Sequence, residues 1–524
     1  MAYRHGVYTS EVSTSIQMAA PVDSALPFVI GGAPKAVGPV LVTSWSRYCA
    51  LFGVDEKVDI AADKYANGGC LTNFAYYWFV LAGRSDCIMQ SLPQMNYCSP
   101  LFRVISGGVA ADAAFKFSLG DVATGDLEAA YAVFNGARVK ITKSGSDYTV
   151  VVIDSNGVEH ETVQTSAATI APCTITIGSS TVTLALSKDY LTTISDATLP
   201  AGVSEYEVPL SMYDDAVKSA ADIISAVQNI HTLYERFGRV ASILSIPGRL
   251  GNVGLWAGLL QAMTAAVSNI GGRFKGVALV DLPAGYDGDG SGKRYDDLLD
   301  EKESTSPYLI YSWPYVGVGD LRFNASTAIC AAINATDGQF GSIPYVSPSN
   351  KPLPITGVYY SYENDSEQIV EEPVYLTRDE VNTYLGANGF VGFRNTAQGW
   401  VAWGDNTAAF PGSTDVKDYM IPIRRMFNYV SNQFQVFADS RVDMPLNMRQ
   451  LEGVVKSFNQ VLSGWVGFGA LNAGSVELDK ELNTTASLLS GTVYVRIRIA
   501  PPPAMVVIEG VLEYDVQGFE RSLA

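Results

Sequence analysis

The residues best suited to chemistry lie in one glycine- and aspartate-rich segment, Tyr286–Lys293. An EF-hand calcium loop starting at Asp287 would place its bidentate twelfth ligand, normally Glu, at Leu298, so the cation cage is incomplete. A phosphate-binding loop ending at Gly292-Lys293 would need Gly at the Asp287 position and Ser or Thr after the lysine, where the sequence has Arg294. We therefore interpret the segment as a solvated loop that follows a strand.

Other catalytic groups are equally sparse. No Ser lies in the Gly-x-Ser-x-Gly elbow of α/β hydrolases, and three scattered histidines, His5, His160 and His231, leave few general bases. The carboxylates of Asp296-Asp297, like those of Glu371-Glu372, are adjacent in sequence, so they diverge and cannot flank one substrate. A hydrolase or nucleotide-binding enzyme is therefore disfavoured, and the sequence predicts no catalytic residue, cofactor site or metal site.

Composition excludes further classes. The six cysteines contain no Cys-x-x-Cys pair, so we expect reduced, packed thiols. The formal charge is -18 and no run of cations occurs, so direct nucleic-acid binding is not expected. The N-terminus lacks an apolar signal core, which argues against an exported surface-layer protein. The uncharged stretch Leu250–Gly272 contains several polar residues and lies between two predicted strands, so we expect a crossover helix and no membrane insertion.

The elements that must position any site fall into several domains, because 524 residues exceed one ordinary core. Residues 213–390 alternate apolar strands with amphipathic helices, for example the helix Leu255–Ser268 before the strand Lys275–Leu282. Residues 21–99 supply the first part of the same core. This pattern predicts an α/β core with a doubly wound, largely parallel sheet.

Two other segments differ from this core in residue composition and in hydrophobic pattern. Residues 100–212 are rich in Thr, Val, Ser and Gly and contain the hairpin signal Asn156-Gly157, which predicts an inserted β-sandwich domain. Residues 391–505 carry two amphipathic helices, Tyr419–Phe434 and Leu446–Trp465, and predict an α+β C-terminal domain.

Several motifs, in their order and spacing, resemble those of contractile phage tail sheath proteins, and they span nearly the whole chain. The family pattern often has an acidic residue after the final proline stretch, where this chain has Ala504-Met505. Residues 100–212 contribute least to the resemblance. The motifs are His5-Gly6-Val7-Tyr8, Val29–Pro34, Asn73–Arg84, Ser347–Pro352, Asn388–Thr407, Ile423–Tyr429, Leu482–Thr484, Gly491–Val495 and Ala500–Ala504.

The resemblance implies a structural subunit without catalytic residues. Such a subunit polymerises as stacked hexameric rings into a helical sheath around a tail tube, and contraction drives the tube through a target envelope. The implied partners are further copies of itself and the tube, baseplate and tail terminator proteins. The implied location is the virion tail, assembled in the host bacterial cytoplasm. A sheath of a bacteriocin-type or secretion-type contractile injection system has the same kind of subunit and stays an alternative.

The resemblance also assigns places to the domains. The C-terminal domain faces the tube in this family, so we expect contact from the charged face of its second helix, at Arg449, Glu452 and Lys456. Independently of the resemblance, the sharp change to short hairpins within an α/β chain leads us to expect that residues 100–212 form an outward decoration.

Both chain ends are expected to link subunits by strand exchange. Thr492–Ile499 and Val506–Val516 alternate apolar and polar residues, one polar face being basic and the other acidic, so we expect these two strands to pair. Their open edge would accept the extended N-terminal arm, residues 1–20, while residues 506–524 form a C-terminal strand and arm. The expected interface residues are Val7, Thr9, Val12, Val493, Val495, Arg496, Ile497, Arg498, Ile508, Glu509, Leu512, Glu513 and Tyr514.

Overall fold

The computed structural model describes most of the chain outside the N-terminal arm. Val7, Thr9 and Val12, and the loop 285–291, lie outside the described residues. The described residues are 22–33, 37–54, 71–91, 97–100, 103–106, 117–118, 137–144, 147–153, 157–166, 173–177, 180–184, 202–208, 210–212, 220–248, 256–284, 292–319, 321–363, 369–515, 517 and 521.

The core is an eight-stranded sheet in the order β2-β3-β1-β14-β15-β16-β21-β22. The strands from β3 to β21 are parallel, and β2 and β22 are antiparallel edges. The predicted largely parallel α/β core is therefore confirmed. The bounds are β1 Pro27–Gly31, β2 Val40–Val42, β3 Cys87–Ser91, β14 Ile243–Ser245, β15 Val277–Asp281, β16 Leu309–Ser312, β21 Phe390–Thr396 and β22 Gly399–Trp403.

Burial explains why these runs form central strands. Successive side chains of a strand point to opposite faces of the sheet. Phe28, Val29 and Ile30 are all fully buried, as are Ile310 and Tyr311, so both faces of the sheet are covered. Continuous apolar runs of this kind are typical of parallel strands with helices on both sides.

The helices follow the predicted alternation with shifted ends. The stretch expected to be a crossover helix is a helix over its described part, Trp256–Ser268, and no helix within the described ranges is long and apolar enough to cross a bilayer. The helices are α1 Trp45–Phe52, α2 Leu71–Tyr76 (continued by a π-turn, Tyr77–Leu81), α3 Ala220–Gln228, α4 Leu233–Phe237, α5 Trp256–Ser268, α6 Ala325–Gln339, α7 Arg378–Glu380, α8 Val416–Tyr419, α9 Ile421–Asp439, α10 Met448–Phe468 and α11 Thr485–Leu489.

The remaining strands form smaller antiparallel sheets. In and just before residues 100–212 the sheets are β5-β12-β7-β8-β9, β13-β4-β6 and β10-β11. The predicted hairpins are present as β8–β9 and β10–β11, while the insertion and its sandwich packing stay predictions. A four-stranded sheet, β18-β17-β19-β20, was not predicted. The bounds are β4 Tyr97–Pro100, β5 Arg103–Ser106, β6 Phe117–Ser118, β7 Ala137–Ser144, β8 Asp147–Ile153, β9 Glu159–Ser166, β10 Cys173–Ile177, β11 Ser180–Leu184, β12 Gly202–Val208, β13 Leu210–Met212, β17 Tyr315–Val318, β18 Leu321–Phe323, β19 Gly357–Glu363, β20 Ile369–Pro373, β23 Ala473–Leu478 and β24 Val495–Ala500.

A buried ion pair joins the C-terminal helix α9 to the core helix α6. Both terminal guanidinium nitrogens of Arg425 donate to Asp337, at 3.0 and 2.6 Å, and the two side chains are 3% and 2% exposed. Arg425 also donates to the carbonyl of Ser24 at 3.1 Å. Two planar hydrogen bonds to one carboxylate fix both orientation and distance. The pair therefore holds α9, α6 and the segment before β1 in one arrangement.

The helix α10 is bounded by signals present in its sequence. Asn447 caps its N-terminus by accepting from the Gln450 amide at 3.0 Å, and Gly469 ends it in a left-handed conformation at φ 87°. Phe458 and Leu462 form its buried stripe. Phe458 packs against Phe434 and Phe437 of α9, and Leu462 lies beside Gly474 of β23, so the stripe joins the helix to both elements.

Candidate functional site

Three cysteines and one histidine can be placed from the described residues. Cys49, Cys87 and Cys330 are buried free thiols, and burial raises the pKa of both Cys87 and Cys330. His231 Nδ1 accepts a hydrogen bond from the Gly271 amide at 2.9 Å, and partial burial lowers the pKa of this imidazole. No cluster of three or more His, Cys, Asp or Glu side chains that could hold a metal ion occurs within the described ranges.

Two of the sequence motifs contact each other beside the sheet edge. The Asn350 amide donates to the Ala402 carbonyl at 2.7 Å, which ties the proline-rich loop to β22. Asp405, just after β22, accepts a 2.6 Å hydrogen bond from the Ser347 hydroxyl. Burial raises the pKa of Asp405 to about 7, because its charged form is poorly solvated and Ser347 only partly compensates. These motif residues therefore hold a loop in place, which is a structural role.

The C-terminal part of the chain carries a small antiparallel sheet, β23 with β24. Val476 lies opposite Ile497, and Glu477 lies opposite Arg496. The side chains of β24 alternate: Val495, Ile497 and Ile499 are half-buried against the core, and the two arginines are exposed. The sheet thus has one apolar face toward α10 and one charged face toward solvent.

The charged face is neutralised within the chain. Arg498 pairs with Glu477 at 2.5 Å, and Arg496 Nε donates to Asp479 at 2.7 Å. Asp479 also accepts from the backbone amides of Glu481 and Leu482. The Leu482 amide is the main cause that lowers the pKa of Asp479, with Arg496 adding to the shift. These contacts rigidify the start of the connection from β23 to β24.

The predicted pairing of the last two strands is wrong. The partner of β24 is β23, a strand that was not predicted, so Glu509 and Glu513 do not lie opposite Arg496 and Arg498 in the subunit. The segment Ala473–Leu478 contains Ala, Gly and Ser, which have low strand propensity. Its acidic residues, Glu477 and nearby Asp479, were the signal that could have matched it to the arginines.

The predicted strand Val506–Val516 is also wrong for the single chain over its described part, residues 506–515. Residues 501–515 have no regular secondary structure. Pro501, Pro502 and Pro503 lack amide hydrogens, so they cannot continue the β24 ladder. The side chains of Ile508, Leu512 and Tyr514 are 82%, 100% and 75% exposed. We call residues 504–515 the C-terminal arm; it carries large apolar side chains with no cover in the subunit.

The residues expected to face a tube are exposed. Arg449, Glu452 and Lys456 lie on the outward side of α10. Glu452 and Lys456 also line an open groove of about 820 Å³ between α10 and β23, together with Arg496. Their exposure leaves them accessible, and contact with a tube stays a prediction.

Comparisons with known proteins point to one class. No protein-family model and no curated protein sequence matches the chain. It is similar to a chain of the anti-feeding prophage baseplate, 15% identical with a TM-score of 0.51, over 98% of this chain and 100% of that one. A chain of the contracted PVC sheath complex, an extracellular contractile injection system, is 12% identical with a TM-score of 0.52, over 99% of both.

The contracted helical sheath of the anti-feeding prophage is also similar. Its chain is 14% identical with a TM-score of 0.50, over 98% of this chain and 100% of that one. The chain therefore has the fold of contractile injection system sheath proteins along nearly its entire length. This is the fold that the sequence motifs predict.

Proposed function

We propose that the chain is the sheath subunit of a contractile tail or injection device. It polymerises as stacked hexameric rings around a tail tube and contracts to drive that tube through a target envelope. The observation that carries the proposal is the similarity, over 99% of both chains, to a subunit of a sheath complex in its contracted state. A bacteriocin-type or secretion-type device uses the same kind of subunit, and neighbouring genes would distinguish it from a phage tail.

The proposal includes partners, location and domain roles. The subunit binds copies of itself and the tube, baseplate and tail terminator proteins, and it belongs to a virion or injection-system tail assembled in the bacterial cytoplasm. Residues 100–212 are proposed to decorate the outside of the sheath, because they form sheets separate from the core sheet. The energy for contraction comes from exchanging one set of subunit contacts for a more favourable set.

Strand exchange between copies is proposed as the link that holds the sheath together. The C-terminal arm is exposed, and it alternates apolar residues such as Ile508 and Leu512 with acids such as Glu509 and Glu513. Consecutive prolines favour an extended conformation of about 3.1 Å per residue, so Pro501–Pro503 disfavour a tight turn back onto β24 of the same chain. A short stiff connection of this kind favours pairing with another copy.

Purified protein is expected to form long hollow tubes without nucleotide, visible by electron microscopy. The reason is that assembly on this proposal is driven by contacts alone. Light scattering and phosphate release, measured with and without ATP, give the second readout. Absence of tubes, or assembly that depends on ATP hydrolysis, would contradict the proposed function.

Reversing the charges of Arg449 and Lys456 to Glu is expected to weaken binding of the sheath to its tube more than self-assembly. Both side chains are exposed on α10, so folding should be little affected. Co-sedimentation of assembled sheath with purified tube measures binding, and sheath length without tube measures self-assembly. Equal loss of both would argue against tube contact at this face.

A further inference from the structure

We infer that Asp405 is a pH-sensitive latch at the junction of the proline-rich loop (Ser347–Pro352), the end of β22 and the start of α9. The protonated carboxyl holds this junction closed, and ionisation of the carboxyl loosens it as the pH rises toward neutrality. The latch is a property of the single subunit. It rests on the proposed function only for its consequence in an assembled sheath.

Three parts of the chain meet around Asp405. The Asn350 amide ties the proline-rich loop to β22 through its 2.7 Å hydrogen bond to the Ala402 carbonyl. On the other side, the main-chain carbonyl of Asp405 accepts from the Ile421 amide at 2.9 Å, where α9 begins. A change in the position of Asp405 therefore affects the loop, the edge strand and the helix together.

The carboxyl group of Asp405 has little to compensate for its burial. The residue is 8% exposed, and its Oδ1 accepts from the Ser347 hydroxyl at 2.6 Å. Its Oδ2 is buried without a hydrogen-bond partner among the described residues. The Ser347 hydroxyl also accepts from the Ser349 amide at 3.1 Å, so the one donor is itself fixed within the loop. Burying a carboxylate with so few donors is costly, and the neutral form is favoured up to a higher pH.

The three other buried aspartates of the described residues are better compensated. Asp337 is paired with Arg425, and Asp479 is paired with Arg496. Asp281 accepts four hydrogen bonds from backbone amides and serine hydroxyls. A cation or several donors stabilise the charged form of a buried carboxylate. The weak compensation at Asp405 therefore sets this position apart from the other buried acids.

The titration of Asp405 is set by its own burial and not by a charged neighbour. Lys417 and Arg424, at the start of the C-terminal helices, both pair with Asp418. Burial raises the pKa of Asp405 and the Ser347 hydroxyl lowers it, and together they account for its value of about 7. The charged or titratable side chains carried by the surrounding elements are Tyr345, Lys351, Arg394, Asp415, Lys417, Asp418, Tyr419, Arg424 and Arg425.

The direction of the pH effect follows from the two states of the junction. When the junction opens to water, the pKa of Asp405 returns to the ordinary value for Asp, about 3.9. The closed junction thus binds the proton more tightly, and closure is most favoured below about pH 4. From there to about pH 7 the open form gains about tenfold per pH unit, and above it the gain stops. In the proposed sheath, this junction is firmer in acid than at neutral pH.

Amide hydrogen exchange of the full-length protein, below the concentration at which tubes form, tests the latch. Rates at Asn350 and Ile421 are corrected for the intrinsic pH dependence of amide exchange. We expect both corrected rates to be at least tenfold faster at about pH 7.5 than at about pH 5. Equal corrected rates would overturn the inference. Absence of tubes at higher concentration, with this pH dependence present, would count against the proposed function and leave the latch in place.

Two variants and a matched control assign the effect to Asp405. Asp405→Asn cannot ionise, so the corrected rates at Asn350 and Ile421 should no longer change with pH. Ser347→Ala removes the donor that favours the charged form, so the rates should level off at a higher pH, which gives a second test if Asp405→Asn does not fold. Asp300→Asn, at an exposed position, should keep the original pH dependence. Unchanged pH dependence in Asp405→Asn, or an unchanged levelling pH in Ser347→Ala, would refute the latch.

Discussion

Deleting residues 504–524 is expected to abolish tube formation and leave a folded subunit. The C-terminal arm has large exposed side chains and no secondary structure in the subunit, so its loss removes little of the subunit's own packing. In the sheath, about four main-chain hydrogen bonds at about 0.5–1.5 kcal/mol each would be lost per contact. That is a weakening of about 30-fold or more in each association step. Circular dichroism measures folding and electron microscopy measures tubes.

A point variant distinguishes the loss of strand pairing from the loss of the whole C-terminal arm. Ile508→Pro removes one amide donor from the arm and should also prevent tubes, whereas the matched Ile508→Val keeps the donor and the strand propensity and should assemble.

Deleting residues 1–15 is expected to have the same effect as removing the C-terminal arm. Normal tubes from the 504–524 deletion would refute exchange through this arm.

Replacing either partner of the buried pair between Asp337 and Arg425 is expected to destabilise the subunit by about 3–5 kcal/mol. Each single change, Asp337→Ala or Arg425→Ala, leaves an uncompensated charge in a site where both side chains are almost fully buried. Arg425→Ala also leaves the Ser24 carbonyl without its donor. Denaturant midpoints followed by circular dichroism measure the loss.

Two comparisons show whether burial of the charge is the cause. Asp337→Leu combined with Arg425→Met removes both charges and should cost less than either alanine variant. Asp439→Ala breaks the ion pair between Asp439 and Arg273, in which the Asp439 side chain is 46% exposed. This change should lower the free energy of unfolding by about 1 kcal/mol or less. Similar losses for Asp337→Ala and Asp439→Ala would contradict the argument.

The parallel core could be predicted because its signal is local and strong. Runs such as Val277–Asp281 are apolar at every position but the last, and only a strand covered on both faces needs that pattern. The helix α10 could also be predicted, because its apolar residues recur at helical spacing along one face. The sequence also predicted that the arginines of β24 pair with acidic residues. They do, but the partners are Glu477 and Asp479 and not Glu509 and Glu513.

The pairing of the last strands could not be predicted, because a sequence pattern does not specify which sheet edge a strand will join. Alternation in Val506–Val516 indicates a segment able to form a strand, but a strand exists only where another edge is available. In the single subunit β23 already occupies one side of β24, and the prolines lead the arm away. The two hydrogen bonds between the Asn459 side chain and the Val476 backbone could not be predicted either, because they depend on tertiary packing.

The separation of the C-terminal arm from its proposed acceptor, β24, has a consequence for polymer growth. The two surfaces are different parts of one chain, so the contact is heterologous: each copy gives one arm and accepts one. A polymer built from such contacts has two different ends. One end exposes β24 edges without a bound arm, and the other exposes C-terminal arms that are not bound to a β24 edge. If the proposed strand exchange holds, growth and capping at the two ends would need different partners, and the polarity of the assembly would follow from the single subunit.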